Sequence, residues 1–174
     1  MLLAARVRFL AESYENVGMR NIAADTGVDV ALVSRYFGSK EDLFRAVLQS
    51  FGDSPFQVDV PAAELPAYLV SLICDKAEPT SRAKVERLLI ILRSASSPAA
   101  AAIIRETVHA DVLDPIAALL EGERAPLRAS LMLALLMGTT ILRTIMSVEP
   151  LQECSEEAVR ARLLRLFDTA LAPD

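Results

Sequence analysis

Residues 19–44 of the chain read MRNIAADTGVDVALVSRYFGSKEDLF, and the junction residues in that string leave little freedom in how it folds. Ile22 and Ala23 belong to a short amphipathic helix, and Ala23 is small enough to let a second helix cross close by. Gly27 stands where that helix must stop with φ > 0, a conformation glycine adopts without a Cβ clash. Val28 and Val33 then supply the inward face of the next helix, with Leu32 and Tyr36 one repeat apart on an adjoining row. Gly38 ends that helix. Ser39 is the expected N-cap of the following one, and Asp42, three residues on, is a short substitute for the Glu or Gln of a capping box. Glu41 and Asp42 suit the positive end of the helix dipole. Upstream, Leu3, Val7, Leu10 and Ala11 recur at helical spacing and, with Phe9 and Tyr14, are expected to close a three-helix core. Two short helices joined by a tight turn, often containing glycine, form the unit that lays its second helix in the major groove of DNA.

Residues 4–48 resemble the N-terminal DNA-binding domain of the tetracycline-repressor (TetR) family. The matching elements are AAxxxF around Phe9, Tyr14, the MRNIA segment, Gly27-Val28, Tyr36-Phe37 and GSKEDLF. The resemblance implies an all-helical, homodimeric repressor that binds a double-stranded DNA operator and whose C-terminal domain takes an inducer. It places Arg20, Tyr36 and Lys40 against the DNA backbone. Base readout is expected from Val30, Ala31, Ser34 and Arg35, the exposed side of the recognition helix. Arg35 alone among these can hold a guanine through two hydrogen bonds, a phosphate contact being the other role open to it. Ser13 stands where the family commonly has Gly, and Gly18 where it commonly has a capping Ser or Thr. Glycine is still tolerated as an N-cap, at a cost of about a few tenths of a kcal/mol. Asp29, Ala31 and Ser34 replace the frequent Ser, Gly and Tyr, which bears on the operator sequence and not on the fold. The basic N-terminal arm of many members is expected to be missing or very short.

Composition agrees with an all-α fold. Hydrophobic residues reach 53% while aromatics are only 5%, with Leu and Ala dominant, which favours helix packing over a β-sandwich. No membrane partner is expected, because the longest apolar stretch, 131–142, is shorter than the roughly 20 residues of a span. No signal-peptide pattern follows Met1, and Cys74 and Cys154 lie far apart without metal-ligand spacing, so a reducing cytoplasmic setting is expected. A single His, no Trp, no glycine-rich phosphate loop and no Cys/His cluster argue against catalysis, a metal or a cofactor. The net charge of −5 is unevenly spread. Arg6, Arg8, Arg20, Arg35, Lys40 and Arg45 balance Glu12, Glu15, Asp25, Asp29, Glu41 and Asp42, so residues 1–52 are neutral. DNA affinity must then depend on where the cations point.

The breakers in 52–61, GDSPFQVDVP, read as a linker, giving a helix-turn-helix domain over 1–52 and a helical effector-binding and dimerisation domain over 53–174. Helices are expected over about 62–76, from 80 or 81, over 98–120 with a kink at Pro115, over 126–148, and from an N-cap at Ser155 to about 171. In the last, Val159, Leu163, Leu166, Phe167 and Ala170 form an apolar stripe. In the one before it, Leu131, Leu135, Gly138 and Leu142 combine bulk with close-approach positions. Together these are expected to form a four-helix dimer seam, the other reading being burial in each subunit's own core. Tyr68, Leu89, Arg93, Val108, His109, Met132, Leu136 and Thr140 are candidates to line a cavity for an unidentified small apolar or amphipathic effector. For each, an ordinary core position is equally open. The rival to a DNA-reading repressor is a helical small-molecule or partner-binding protein whose helix-turn-helix no longer reads DNA, made thinkable by the neutral domain and by Asp29.

Overall fold

The computed structural model describes residues 1–52, 56, 60–75, 79–149, 151 and 156–173. Every regular element among them is helical. In chain order these are α1 (Leu2–Ala11), a 3₁₀ turn (Tyr14–Asn16), α2 (Met19–Thr26), α3 (Val30–Phe37), α4 (Lys40–Gln49), a second 3₁₀ turn (Ala62–Glu64) and α5 (Leu65–Cys74). There follow α6 (Pro79–Ser94), α7 (Pro98–Val108), α8 (Asp114–Leu119), α9 (Ala125–Thr140) and α10 (Glu156–Leu171). Most of the expected linker, Cys154 and the Ser155 cap lie outside the described residues.

The chain divides into two compact units, Met1–Asp53 with Arg82–Val108, and Ser54–Ser81 with His109–Asp174. The sequence suggests a single boundary near residue 52; in the structure the chain returns, and residues 82–108 complete the N-terminal unit. Burial is the reason. Ile90 of α6 and Ala100, Ile103 and Ile104 of α7 share one core with Ala5, Phe9, Ile22, Val33, Phe44 and Val47. Three aromatic rings stand at its centre. Phe44 meets Phe9 at 5.0 Å and Tyr14 at 5.1 Å, both edge to face, the arrangement that ring quadrupoles favour. Helix α1 reaches this core through Ala5 and the expected Phe9, with Leu10 of the expected stripe packed partly buried against it. Leu3 and Val7 are 76% and 67% exposed, and Ala11 is exposed too. Both stripes have helical periodicity, and the aromatic ring of Phe9, with Tyr14 and Phe44 to receive it, wins the inward face.

The second unit packs α5, α8, α9 and α10 around Leu65, Leu69, Ile116, Ala129, Met132 and Phe167. The helix expected over 98–120 changes pitch where anticipated. Pro115 has no N–H to donate one turn back, and the chain passes through a wider π-type turn, His109–Leu113, before α8 starts at Asp114. Helix α9 continues through a similar turn, Ile141–Ile145. The resulting 21-residue run, Ala125–Ile145, is long and apolar enough to cross a membrane by length and composition, more than the apolar core of 131–142 suggested. Its inner stripe, Ala125, Ala129, Met132, Leu136 and Thr139, is buried, and so are Arg128 and Arg143. The Arg128 guanidinium donates to the Leu171 carbonyl at 2.8 Å and to the Glu121 carbonyl, tying the end of α10 to the loop before α9.

The proposed seam residues separate into two sets. Val159, Leu163 and Phe167 are buried in the core of their own unit, Phe167 completely. They cannot form the face of α10 that a partner would meet. Leu166, one residue before Phe167, turns outward and is 51% exposed. On α9, Leu131 is exposed with Leu127 one turn before it, Leu142 is exposed beyond them, and Leu135 and Gly138 are half-buried. Ala170 is half-buried as well.

Candidate nucleic-acid interface

The turn between α2 and α3 is built from local chemistry. Helix α2 starts at Gly18, whose N–H is accepted by the Asn21 side chain at 2.9 Å, half of a capping box in a residue that lacks the side chain for the other half. It ends at Gly27, with φ +67°. The Gly27 amide donates to the Ala24 carbonyl and the Val28 amide to the Ala23 carbonyl at 3.1 Å, the paired bonds of a Schellman close. Val28 thereby packs on the core. Asp29, one residue on, spends its carboxylate on the Ala31 amide at 2.7 Å and so caps α3. The acid that looked unfavourable beside DNA has a structural task.

The second junction is tighter. Gly38 lies at φ +82°, ψ −102°, a region that residues with a side chain rarely adopt, and its N–H closes α3 on the Ser34 carbonyl at 2.8 Å. Ser39 and Asp42 form the expected reciprocal cap. The Ser39 hydroxyl accepts the Asp42 amide at 3.0 Å, and the Asp42 carboxylate accepts the Ser39 hydroxyl at 2.6 Å and its amide at 3.3 Å. Those hydrogen bonds, with Arg45 nearby, hold the Asp42 carboxyl below the usual carboxylate range. At this helix start, the Lys40 ammonium lies 4.2 Å from the Tyr14 ring centroid and donates to the Glu15 carbonyl at 3.5 Å. Burial, with Glu41 close by, raises the Tyr14 hydroxyl above its ordinary value, so the ring stays neutral.

Ion pairing sorts the cations of this unit. Arg8 grips Asp25 with two hydrogen bonds of 2.6 and 2.7 Å, and Glu12 at 2.9 Å. Arg6 meets Glu86 at 2.6 Å and lies over the Phe51 ring, and Arg45 bridges Asp42 and Glu106. Among the described residues, Arg20, Arg35 and Lys40 have no carboxylate partner. They are the three cations expected at DNA. The outer face of α3 presents Val30, Ala31, Leu32, Ser34, Arg35 and Tyr36, all exposed, while Val33 is fully buried. Leu32, assigned by spacing to a row beside the core, is 47% exposed and joins this face. Periodicity alone could not separate it from the core row, because a short helix offers only two turns to judge by.

The expected effector residues are divided between the two units. Leu89, Arg93 and Val108 belong to the first unit, and Tyr68, His109, Met132, Leu136 and Thr140 to the second. Arg93 donates to the Ala11 carbonyl at 3.1 Å and so closes the C-terminus of α1. Met132 is fully buried in the second core, with Leu136 beside it and Tyr68 packed against them. His109 is exposed, its Nδ1 3.6 Å from an Asp114 carboxylate oxygen. Among the described residues, no group of His, Cys, Asp and Glu could hold a metal ion.

Comparison with known proteins gives two family matches along the chain. Residues 1–47 match the model for bacterial regulatory proteins of the tetR family, and residues 63–171 match that for the tetracyclin repressor-like C-terminal domain. No curated protein sequence matches. Two crystal structures of NalD, the secondary repressor of the MexAB-OprM multidrug efflux pump in Pseudomonas aeruginosa, share the fold. Their TM-scores are 0.69 and 0.70 at 18% and 17% identity, covering 99% of this chain and 95% of that one. A TetR-family regulator of Streptomyces coelicolor A3 is 26% identical over 98% of this chain and 91% of its own, with a TM-score of 0.50. With the C-terminal match alone spanning more than half of the sequence, and the capped helix-turn-helix ahead of it, this chain belongs to the TetR family of DNA-binding transcription regulators.

Proposed function

We propose that the protein is a homodimeric repressor that holds an operator through α3 of each protomer and is released by a small apolar or amphipathic ligand. The observation that carries the DNA half of this reading is the sorting of charge. Arg6, Arg8 and Arg45 are neutralised by internal carboxylates, and Arg20, Arg35 and Lys40 are left for phosphates and bases. A neutral domain can then bind a polyanion through position, not through a broad field. Arg20, Tyr36 and Lys40 take the backbone, and Val30, Ala31, Ser34 and Arg35 face the groove.

Dimerisation rests on the exposed leucines Leu127 and Leu131 on α9, Leu142 in the turn that continues it, and Leu166 on α10. Exposed leucines on the membrane-length run Ala125–Ile145 are supported as a subunit seam by the buried arginines within the run. Ligand release requires that an effector bind one of two conformations better and so change the spacing of the paired recognition helices. The NalD structures belong to a repressor of an efflux pump, and repression is the mode of action we assign here by that likeness. Such a protein works where the chromosome is, in the cytoplasm. An electrophoretic shift assay on the DNA flanking the gene, repeated across salt concentrations, tests the reading. Specific retardation that weakens steeply with salt is expected; equal, weak binding to all DNA would overturn it.

A further inference from the structure

The outer face of α3 combines the hydrogen-bonding Ser34, Arg35 and Tyr36 with the exposed apolar side chains of Val30, Ala31 and Leu32. With about 3.6 residues to the turn, buried Val33 sets the inward direction. Ala31 and Arg35, four residues apart, then lie nearly opposite it. Leu32 occupies the next row, 47% exposed, ahead of Tyr36 at 71%. Asp29 stands at the N-cap, with one carboxylate oxygen held by the Ala31 amide. Ala31 and Arg35 thus form the centre of the face, with Leu32 on one flank and Ser34 on the other, so the guanidinium has an apolar flank beside it. Of the groups that base pairs present in the major groove, only the thymine C5-methyl is apolar, and aliphatic side chains gain by covering it.

We propose that Leu32, with Ala31 beside it, reads thymine methyl groups, so that each operator half-site sets one or more thymines next to the guanine that Arg35 can hold. The inference rests on α3 being the DNA-reading helix and goes further in naming what it reads. Leu32 is the added specificity residue; its leucyl side chain can make no phosphate hydrogen bond, so its exposure serves discrimination and not anchoring.

The experiment uses the full-length protein. Binding-site selection from random duplexes defines the half-site, and each selected thymine is then replaced by deoxyuridine, which removes the methyl and keeps the base pair. At one or two positions the substitution is expected to weaken binding about four-fold, the effect of one buried methyl group. Leu32→Ala should bind the thymine site about four-fold more weakly or worse, yet lose little more on the uracil site. Circular dichroism checks that this exposed substitution leaves the helices intact. If the wild type selects a sequence but binds thymine and uracil versions equally, the methyl reading falls while the DNA-binding reading stands. If no sequence is enriched, both fall.

Discussion

The Lys40 ammonium sits 4.2 Å from the centroid of the Tyr14 ring, at the first residue of α4. A cation held over an aromatic face is worth about 0.5–1 kcal/mol at an exposed site, and here it also steers a flexible side chain. The exposed N-terminus of α4 adds the positive end of the helix dipole. Lys40 is thus positioned before any phosphate arrives. Lys40→Ala is expected to weaken binding to all DNA sequences alike and to lower the slope of log affinity against log salt by about one unit. Tyr14→Leu, which removes the ring and keeps the charge, should weaken binding less and leave the slope nearly unchanged. Fluorescence anisotropy at several salt concentrations distinguishes the two.

Arg35 lies nearly opposite the buried Val33 on α3 and has no carboxylate partner among the described residues. Arg35→Ala should relax preference at one base pair per half-site, at about 1–3 kcal/mol of discrimination. Site selection with the variant checks this. Uniform weakening without altered preference would move Arg35 to the phosphate backbone.

Two substitutions in the second unit should behave oppositely. Leu131 is 52% exposed on α9, and Leu131→Asp should give a folded monomer whose operator affinity falls about 100-fold or more, through loss of the second half-site. Phe167 is fully buried, and Phe167→Ala should destabilise the fold itself by about 3–5 kcal/mol. Sedimentation with thermal unfolding separates the cases. A dimeric Leu131→Asp protein would place the interface elsewhere.

Acid should loosen the N-terminal unit. Arg8 holds the Asp25 carboxyl below its ordinary 3.8, hydrogen bonds from Ser39 do the same for Asp42, and Arg6 holds Glu86 below 4.5. A depressed carboxylate contributes stability that is complete above its ordinary value and is lost as pH falls through the folded value. Melting temperature should therefore be insensitive to these groups at neutral pH and fall progressively once pH drops below 4.5 and then 3.8. Asp25→Asn should flatten that fall. A profile identical to wild type would show that the pair contributes nothing.

The two junction glycines should differ in cost. A Cβ on Gly27 would meet nothing within 4 Å, so Gly27→Ala carries only the left-handed backbone penalty of about 1–2 kcal/mol. At Gly38 a Cβ would lie 3.1 Å from the Asp42 carboxylate, in a harsher backbone region, at about 1–3 kcal/mol plus any loss of the Ser39–Asp42 cap. Denaturant melts should rank Gly38→Ala as the more damaging.

The order of helices, their stops and their caps were legible along the chain because each is decided within a few residues. Gly27, Asp29, Gly38 and the Ser39–Asp42 pair act through their own backbone and one neighbour, and Pro115 acts through the hydrogen bond it cannot make. Which cations would remain for DNA was legible only by resemblance; their availability follows from Asp25, Glu86 and Glu106 capturing the others, and two of those acids lie outside the first 52 residues. Burial was the other thing tertiary structure decided. Leu3 and Val7 share helical spacing with Ala5 and Phe9, and Leu166 is as apolar as Leu163, yet the first of each comparison is exposed and the second buried. Periodicity shows that a helix has an apolar face, but what covers that face comes from elements far away in the chain. The return of residues 82–108 to the N-terminal core is the same kind of event, a choice among apolar surfaces that only packing can make.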